Sequence, residues 1–249
     1  METRLSVSRE GGVLKIVFDR PEKKNALTRE MYLRALAALE EASGDESLRV
    51  LLFCGAGGTF TAGNDLADFL AFSGEPLAFP ALRFIKALAC FEKPVVAAVA
   101  GDAVGIGVTM LFHCDLVYAS PSARFKAAFI DLGLPPEGGV SLLAPRRFGA
   151  AKAAEILLLG EAFDAKEAHR IGLVNAILPG EELQARALDA AMRLAAKPPA
   201  ALRETRQLLR GDRGELLERM DEEARLFARA LKGAEVQARF AAFLKRNAQ

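Results

Sequence analysis

The order of apolar and polar positions predicts strands and helices that alternate over the first half of the chain. The segment from Val13 to Phe18 has the alternation typical of a strand. Thr28 stands where a helix N-cap is expected, and apolar residues follow it at helical spacing up to about Ala42. The further predicted strands are 50–54, 94–100 and 116–119, and the further predicted helices start at Leu66 or cover about 77–91 and 108–112. This order with short connections, including a turn at 101–105, predicts an α/β fold.

From Gly138 onward the pattern becomes almost wholly helical. The predicted helices cover 140–148, 151–159, 165–171, 181–195, 200–209, 215–230 and 234–245, with one late strand at 173–178. Pro198 and Pro199 interrupt this pattern, so we predict a core of residues 1–196 and a C-terminal helical region of residues 197–249. The tail helices carry apolar stripes, which must pack on the core or on a neighbouring subunit.

Composition places the chain among ordinary globular proteins. Its 249 residues, 51% of them hydrophobic, are enough to bury a core without a disulfide or a metal. The formal net charge of +1 gives no general attraction to nucleic acid or to an anionic membrane, so neither partner is expected. Cys54, Cys90 and Cys114 lie in apolar runs and form no CxxC pair, which predicts reduced core thiols. With no recognisable targeting segment or membrane span, the expected location is the cytoplasm.

The motifs of several common active sites do not occur in this sequence. His113 and His169 stand far apart, outside any cluster with ligand spacing, so no metal site is expected and His113 is interpreted as a packed residue. No serine has a GxSxG context. Phe60 and Met110 stand where GxGxxG requires glycine, and no Gly-Lys dipeptide occurs. A serine hydrolase, an NAD-binding domain and a Walker-type ATPase are therefore disfavoured.

Two glycine-rich segments stand where predicted strands end and helices begin. The first is Phe-Thr-Ala-Gly-Asn-Asp-Leu at 60–66, and the second is Ala-Gly-Asp-Ala-Val-Gly-Ile-Gly at 100–107. The first turn of a helix has unpaired N–H groups and a positive dipole end, so two such junctions facing one oxygen would form an oxyanion hole. Taken alone, each segment favours an ordinary capped or close-packed turn, and the interpretation as an oxyanion hole stays open beside it.

Glu137 follows two prolines and precedes two glycines at the predicted start of a helix. In one interpretation its carboxylate only interacts with the dipole of that helix, a contribution of about 0.3 to 1 kcal/mol. In the other it is a general base, because the apolar neighbours Leu134, Pro135 and Val140 would desolvate the carboxyl group and raise its pKa. The sequence does not decide between the two.

Taken in order, these segments resemble the crotonase superfamily, the enoyl-CoA hydratase/isomerase family. The resemblance covers essentially the whole chain and is carried by RPEKKNAL from Arg20, FTAGNDL from Phe60, the stretch from Lys93 to Gly107, CDLVYA from Cys114 and AHRIGLV from Ala168. It implies a spiral of ββα units followed by a helical trimerisation region. It also implies an acyl-CoA substrate and a homotrimer or a dimer of trimers.

The same resemblance implies roles for individual residues. The backbone N–H groups of Ala62 and Ile106 would hold the thioester oxygen, and Glu137 would be the acid/base. The residues expected to bind the substrate are Lys23, Lys24, Ala26, Gly63, Asn64, Asp65, Leu66, Gly105, Thr109, Phe129, Phe243 and Arg246. Among them, Lys23 or Lys24 would assist the phosphates, and Phe243 and Arg246 would come from a neighbouring subunit. Coenzyme A is part of the substrate, so no separate cofactor is expected.

Two positions bear on which reaction is expected. Thr109 and Phe129 stand where hydratases of the family carry glutamates, so the usual pair that activates water is missing. The Pro136-Glu137-Gly138 segment resembles the Δ3,Δ2-enoyl-CoA isomerases that use a single glutamate, as in the oxidation of unsaturated fatty or aromatic-derived acids. The alternatives are weak hydration or another enolate reaction, and a non-catalytic acyl-CoA-binding module.

Overall fold

The computed structural model describes residues 4–72 and 75–247 as a mixed α/β chain. The strands are β1 (Leu5–Glu10), β2 (Val13–Phe18), β3 (Val50–Gly55), β4 (Val95–Val99), β5 (Asp102–Val104), β6 (Leu116–Ala119), β7 (Arg124–Lys126), β8 (Phe163–Asp164) and β9 (Ala176–Ile177). The helices are α1 (Arg29–Gly44), α2 (Leu66–Leu70), α3 (Pro80–Cys90), α4 (Ile106–Thr109), α5 (Val140–Phe148), α6 (Ala150–Ala154), α7 (Ala165–Arg170), α8 (Gly180–Ala195), α9 (Pro199–Arg210), α10 (Gly214–Leu231) and α11 (Ala234–Asn247). None of the helices in these ranges has both the length and the apolar character that crossing a bilayer requires.

The larger sheet has the strand order β1-β2-β3-β4-β6-β9. β1 and β2 form an antiparallel hairpin, and every later neighbour in the sheet is parallel. Gly11 and Gly12 both have positive φ, 54° and 79°, as the tight two-residue turn of such a hairpin requires. The sequence pattern predicts no strand before Val13, and β1 is therefore missed, although its apolar Leu5 and Val7 alternate with Ser6 and Ser8. The carboxyl ends of the parallel strands point toward the two glycine-rich segments.

Both faces of the larger sheet are covered. Along β3, Leu51 and Phe53 pack into the core that holds α1 and α3, whereas Val50 and Leu52 face α8. On α8 the residues at this contact follow one helical face and are mostly small: Leu183, Ala187, Ala191 and Ala195. A sheet buried on both faces explains why its strands read as continuous apolar runs. As predicted, Thr28 caps α1, its hydroxyl accepting from the N–H of Met31 at 3.3 Å.

A smaller sheet, in the order β5-β7-β8, is not predicted by the sequence pattern. β5 replaces the turn predicted at 101–105, because Asp102 to Val104 pair with the distant β7. The strand predicted at 173–178 reduces to β9, and the helix predicted at 77–91 begins only at Pro80, after a 3-10 turn at Pro76–Ala78. The helix predicted at 151–159 changes to a π-helical turn after Ala154. Cys54 and Cys114 are buried as predicted, but Cys90 is exposed at the end of α3.

The helices after residue 197 pack on the core of the same chain. Arg206 and Arg210 of α9 both pair with Asp115, at 2.7 Å from Nε and 2.9 Å from Nη2 respectively. Phe227 of α10 and Phe240 of α11 are buried against Phe69, with ring centroids 6.2 and 6.1 Å away. The apolar stripes of the tail helices therefore pack on the core, which is one of the two partners expected for them. The division between 1–196 and 197–249 stays a prediction.

The Asn25 side chain fastens the loop after β2 to the loop after β3. Asn25 is fully buried and has the left-handed φ of 56°. Its amide nitrogen donates to the carbonyl oxygens of Ala56 and Thr59 at 2.9 and 2.8 Å, and its amide oxygen accepts from the N–H of Arg20 at 2.7 Å. Because every one of these partners is backbone, the contact fixes the path of the first glycine-rich segment.

Candidate active site

The two glycine-rich segments lie side by side. Thr61 and Ala103 form a parallel bridge, in which the Val104 N–H donates to the Thr61 carbonyl oxygen at 3.0 Å. Gly63 has a φ of 88°, and a Cβ at this position would lie 2.8 Å from the Val104 carbonyl oxygen. At Gly107 a Cβ would lie 2.7 Å from the Thr61 side chain. Only glycine at both positions allows the segments to approach this closely.

Several backbone N–H groups of these segments have no acceptor within hydrogen-bond distance among the described residues, and those of Asn64 and Ile106 are among them. Ile106 is the first residue of α4, where an unpaired N–H is expected. The predicted donor Ala62 is wrong, because its N–H already donates to the Lys24 carbonyl oxygen at 2.9 Å. Leu27 pairs with the residues on either side of Asn64: its N–H donates to the Gly63 carbonyl oxygen, and its carbonyl oxygen accepts from the Asp65 N–H. In such a parallel bridge the N–H of Asn64 points away from Leu27.

Glu137 is buried, with 3% of the residue exposed. The Thr109 hydroxyl donates to its Oε1 at 2.6 Å, and its Oε2 has no hydrogen-bond partner among the described residues. Burial raises the pKa of the Glu137 carboxyl to about 8; the Thr109 hydrogen bond opposes this and the Glu223 charge adds to it. A carboxyl group with this pKa gains and loses protons near neutral pH, as an acid/base requires.

Glu137 does not cap the helix that follows it. Gly138 and Gly139 have φ values of 76° and 78°, and this left-handed turn separates Glu137 from α5. The N–H groups of Gly139 and Ser141 donate instead to Glu223 of α10, at 2.5 and 2.9 Å. The interpretation of Glu137 as a helix-dipole partner therefore loses its main support, since another carboxylate takes that position.

His113 also holds the turn after Glu137. Its Nε2 lies 2.8 Å from the Gly138 carbonyl oxygen, and burial lowers the pKa of the imidazole to about 4. The ring is therefore neutral at physiological pH, with Nε2–H as the donor. This agrees with the prediction that His113 is a packed residue.

Sequence reasoning misses two polar residues of this region. The Tyr32 hydroxyl donates to Asn64 Oδ1 at 2.5 Å, and burial, with the charges of Glu137 and Asp68 adding to it, raises the pKa of Tyr32 well above its usual value. Glu223 is the other. The sequence does carry a signal for it, because Glu223 stands on the apolar face of α10 that also includes Met220 and Phe227.

The residues expected to bind CoA have mixed environments. Lys23 is exposed, and Lys24, whose side chain is 71% exposed, pairs with Asp102 at 3.0 Å. The Asp65 carboxylate is occupied by Arg20 at 2.5 Å and by the N–H of Asp68 at 3.0 Å, so it caps α2 rather than facing a ligand.

The remaining predicted residues differ in their exposure and in whether the structure describes their side chains. Ala26 and Leu66 are half-buried and Phe129 is buried, while a Cβ on Gly105 would meet nothing within 4 Å. The side chains of Phe243 and Arg246 lie outside the described part of the structure. The structure thus brings together six of the predicted site residues: Gly63, Asn64, Gly105, Ile106, Thr109 and Glu137. A groove of about 1200 Å³ between Arg29 and Phe72 does not include Glu137.

Comparisons with known proteins identify the family of the chain. Residues 8–249 match the family model for enoyl-CoA hydratase/isomerase. Rat enoyl-CoA delta isomerase 2 is 40% identical over 87% of this chain and 57% of its own length. The chain spans only 54% to 66% of the length of three curated delta isomerases that it matches. Other relatives are named hydratases.

Solved structures share the fold over nearly the whole chain. Pseudomonas aeruginosa OdaA has a TM-score of 0.93 and 45% identity, covering 96% of this chain and 98% of its own. An enoyl-CoA hydratase/isomerase from Pseudoalteromonas atlantica T6c has a TM-score of 0.92 and 42% identity, covering 98% and 97%. The predicted crotonase-like α/β fold with C-terminal helices is thereby confirmed. Fold, sequence match and the paired glycine-rich segments together show that the chain belongs to the enoyl-CoA hydratase/isomerase family.

Proposed function

We propose that the chain is a Δ3,Δ2-enoyl-CoA isomerase with Glu137 as its single acid/base. The observation that carries the proposal is the state of the Glu137 carboxyl group, which has one oxygen bound by Thr109 and the other buried without a partner. α4 joins this group to the second glycine-rich segment, because Ile106 begins and Thr109 ends the same helical turn. One helical turn therefore carries the unpaired N–H of Ile106 and, through the Thr109 hydroxyl, holds the Glu137 carboxyl group.

The unpaired N–H groups of Asn64 and Ile106 supply the electrostatic part of the reaction. Donated by Asn64 and Ile106 to the thioester oxygen, they stabilise the negative charge that develops there when a C2 proton leaves. In a 3-enoyl thioester the adjacent double bond spreads this charge further, which gives a dienolate. The N–H of Asn64 replaces that of Ala62 in this role, because the Ala62 N–H is already bonded within the chain.

The Glu137 carboxyl group then moves one proton between two carbons of the substrate. Its ionised form takes the C2 proton on Oε2, the C3–C4 double bond shifts to C2–C3, and the same oxygen returns the proton to C4. Oε1 keeps its hydrogen bond from Thr109 throughout, so the group stays in one position for both transfers. Atoms and charge balance without water or a cofactor.

The surroundings of the carboxyl group favour isomerisation over hydration. Hydration requires a water molecule activated by a second acid/base group. Thr109 and Phe129 stand at the two positions where the family resemblance expects glutamates, and neither exchanges a proton as a carboxyl group does. Phe129 is also buried and apolar. The names of the relatives include isomerases and hydratases, so they support an acyl-CoA substrate more than the choice of reaction.

A coupled assay with two substrates tests the proposal. Wild type, Glu137→Gln and the control Glu218→Gln, which changes an exposed carboxylate of α10, are compared on trans-3-hexenoyl-CoA and on crotonyl-CoA. We expect wild type and the control to isomerise the first and hardly hydrate the second, and Glu137→Gln to lose about 10²-fold or more in kcat. Rapid hydration, or isomerisation that does not depend on Glu137, would contradict it. Binding of CoA esters without turnover would indicate a binding module.

The other expectations accompany this proposal. The acyl-CoA ester is the substrate and needs no separate cofactor, and a homotrimer or a dimer of trimers in the cytoplasm is the expected setting. Size-exclusion chromatography with light scattering measures the assembly directly, and a monomer would contradict that expectation.

A further inference from the structure

Glu223 is a buried carboxylate whose partners are distant in sequence. It lies on α10 and is 3% exposed. Its Oε2 accepts from the Gly139 N–H and its Oε1 from the Ser141 N–H, across 84 and 82 residues. Gly139 ends the turn that follows Glu137, and Ser141 lies in the first turn of α5. The nine-residue α5 offers its positive dipole end to the carboxylate, which offsets part of the cost of burying the charge.

Side chains of α10 also pack closely against the Gly138–Gly139 turn. A Cβ at Gly139 would lie 2.4 Å from Leu216 Cδ1 and 3.2 Å from Met220 Cγ. On the opposite side, a Cβ at Gly138 would lie 3.0 Å from Ile85 Cγ1. The two glycines are thus enclosed between α3 and α10, and the turn has no room to shift unless one of these helices moves.

Resting on the proposed acid/base role of Glu137, we propose that Glu223 is a positioning residue, which fixes the Gly138–Gly139 turn and thereby the place of Glu137 Oε2 relative to the substrate. Thr109 holds the carboxyl group of Glu137 by its other oxygen. Glu223 holds the backbone two residues further on. With both ends fixed, the carboxyl group can serve C2 and C4 from one position, where a displacement of about 1 Å would cost about 10²-fold in rate.

The charges around this pair determine the sign of its effect on acidity. The Glu223 charge adds to burial in raising the pKa of Glu137. Glu223 itself faces the Arg219 guanidinium and the Ser141 hydroxyl and N–H, which oppose the rise that burial causes in its own pKa. Tyr32 and His113, the other titratable groups near the turn, are neutral at physiological pH because burial raises the pKa of the first and lowers that of the second. Removing the Glu223 charge should therefore lower the pKa of Glu137.

If Glu223 only capped α5 and had no effect on catalysis, the result would be different. In that case a substitution at Glu223 lowers the melting temperature and leaves kcat and the pH profile of the remaining folded enzyme unchanged. The experiment therefore compares Glu223→Gln and Glu223→Asp with the control Glu218→Gln and with Glu137→Gln. Glutamine keeps one acceptor and removes the charge, whereas aspartate keeps the charge on a side chain shorter by one methylene group.

Four quantities are measured. They are kcat and KM on trans-3-hexenoyl-CoA, the pH midpoint of kcat/KM, and the Glu137 titration by ¹³C NMR of protein labelled at the glutamate carboxyl carbons, with the signal assigned by its loss in Glu137→Gln. For Glu223→Gln we expect kcat to fall about 10-fold or more, KM to stay within about twofold, and both titrations to move to lower pH. Glu223→Asp should keep more of the pH midpoint than of the rate, and Glu218→Gln should behave as wild type.

The outcomes separate this inference from the proposed function. If Glu137→Gln is inactive while both Glu223 variants keep wild-type kcat and the wild-type midpoint, the positioning role is wrong and the isomerase proposal stands. If Glu137→Gln is fully active, the isomerase proposal fails, and the positioning role fails with it. If Glu223→Gln does not fold, Glu223→Asp alone decides, because wild-type kcat and midpoint in that variant would overturn the role.

Discussion

Glu137→Gln should make the folded chain more stable relative to wild type as the pH rises. The ordinary pKa of the glutamate carboxyl is 4.5, and burial raises it to about 8 in the folded chain. A group whose pKa is raised by folding holds its proton more tightly in the folded state than in the unfolded one. The stability that this one group contributes is therefore fully present below pH 4.5 and is lost as the pH rises from 4.5 to about 8. Glutamine carries no such proton.

The gap between the two pKa values sets the size of the effect. At about 1.4 kcal/mol per pH unit, the contribution of Glu137 to stability is lower than at acid pH by about 3 kcal/mol at pH 7, where the unfolded chain has released this proton, and by about 5 kcal/mol well above pH 8. The glutamine amide adds a cost of about 1 to 3 kcal/mol where its nitrogen is buried without a partner. That cost does not depend on pH. The change with pH, about 4 kcal/mol between about pH 5 and about pH 9, is thus the quantity to test.

Urea unfolding measures this difference. Wild type, Glu137→Gln and the control Glu218→Gln are unfolded at one protein concentration across this pH range and followed by far-UV circular dichroism. The difference in unfolding free energy between Glu137→Gln and wild type should grow in favour of the variant as the pH rises, and the control should parallel wild type. A difference that stays constant over the whole range would refute a buried Glu137 with a raised pKa.

Three further substitutions test other parts of the structure. Thr109→Val removes a hydrogen bond that lowers the pKa of Glu137, so the pH midpoint of kcat/KM should move upward and activity at neutral pH should fall, while Thr109→Ser should keep both; an unchanged midpoint in the valine variant would contradict this hydrogen bond. Gly63→Ala places a Cβ 2.8 Å from a carbonyl oxygen and should destabilise the chain by about 2 kcal/mol or more, measured by thermal unfolding. Gly58→Ala, also at positive φ but with nothing within 4 Å of the added Cβ, is its control and should cost about 1 kcal/mol; equal losses would show that close packing at Gly63 is not the cause. Asp115→Asn should lower stability by about 3 kcal/mol because it leaves two arginines of α9 without their carboxylate, and a melting temperature equal to that of wild type would contradict this.

The periodicity of apolar residues predicts those strands and helices whose formation depends on residues close together in the sequence. β2, β3 and α1 follow their patterns closely, since each buries a continuous face or a regular stripe. The elements that periodicity misses are short and depend on distant partners. β5 consists of three residues and forms because β7 lies beside it. A pattern within so few residues carries too little information to indicate such a pairing.

The candidate site likewise contains residues that the sequence indicates and residues whose roles only the fold determines. Ile106 and Glu137 are recognisable because glycine and proline mark the turns around them. The choice between Ala62 and Asn64 is not, because it depends on which N–H the carbonyl of Lys24 accepts from, and that requires the folded path of another loop. The apolar stripe of α10 includes a carboxylate at Glu223, which is a signal of a buried polar role. Its partners, 84 and 82 residues away, become known only from the fold.

Asn25 has a consequence for the chemical ageing of the chain. Deamidation exchanges the side-chain nitrogen for an oxygen, and the resulting aspartate would direct lone pairs at the carbonyl oxygens of Ala56 and Thr59, where the amide now donates two hydrogen bonds. The usual route begins when the next backbone nitrogen attacks the side-chain carbonyl carbon. Here that nitrogen belongs to Ala26 and is held by the Lys23 carbonyl oxygen at 3.0 Å, next to the buried Asn25 side chain. The same turn that requires an amide at this position therefore also slows its loss.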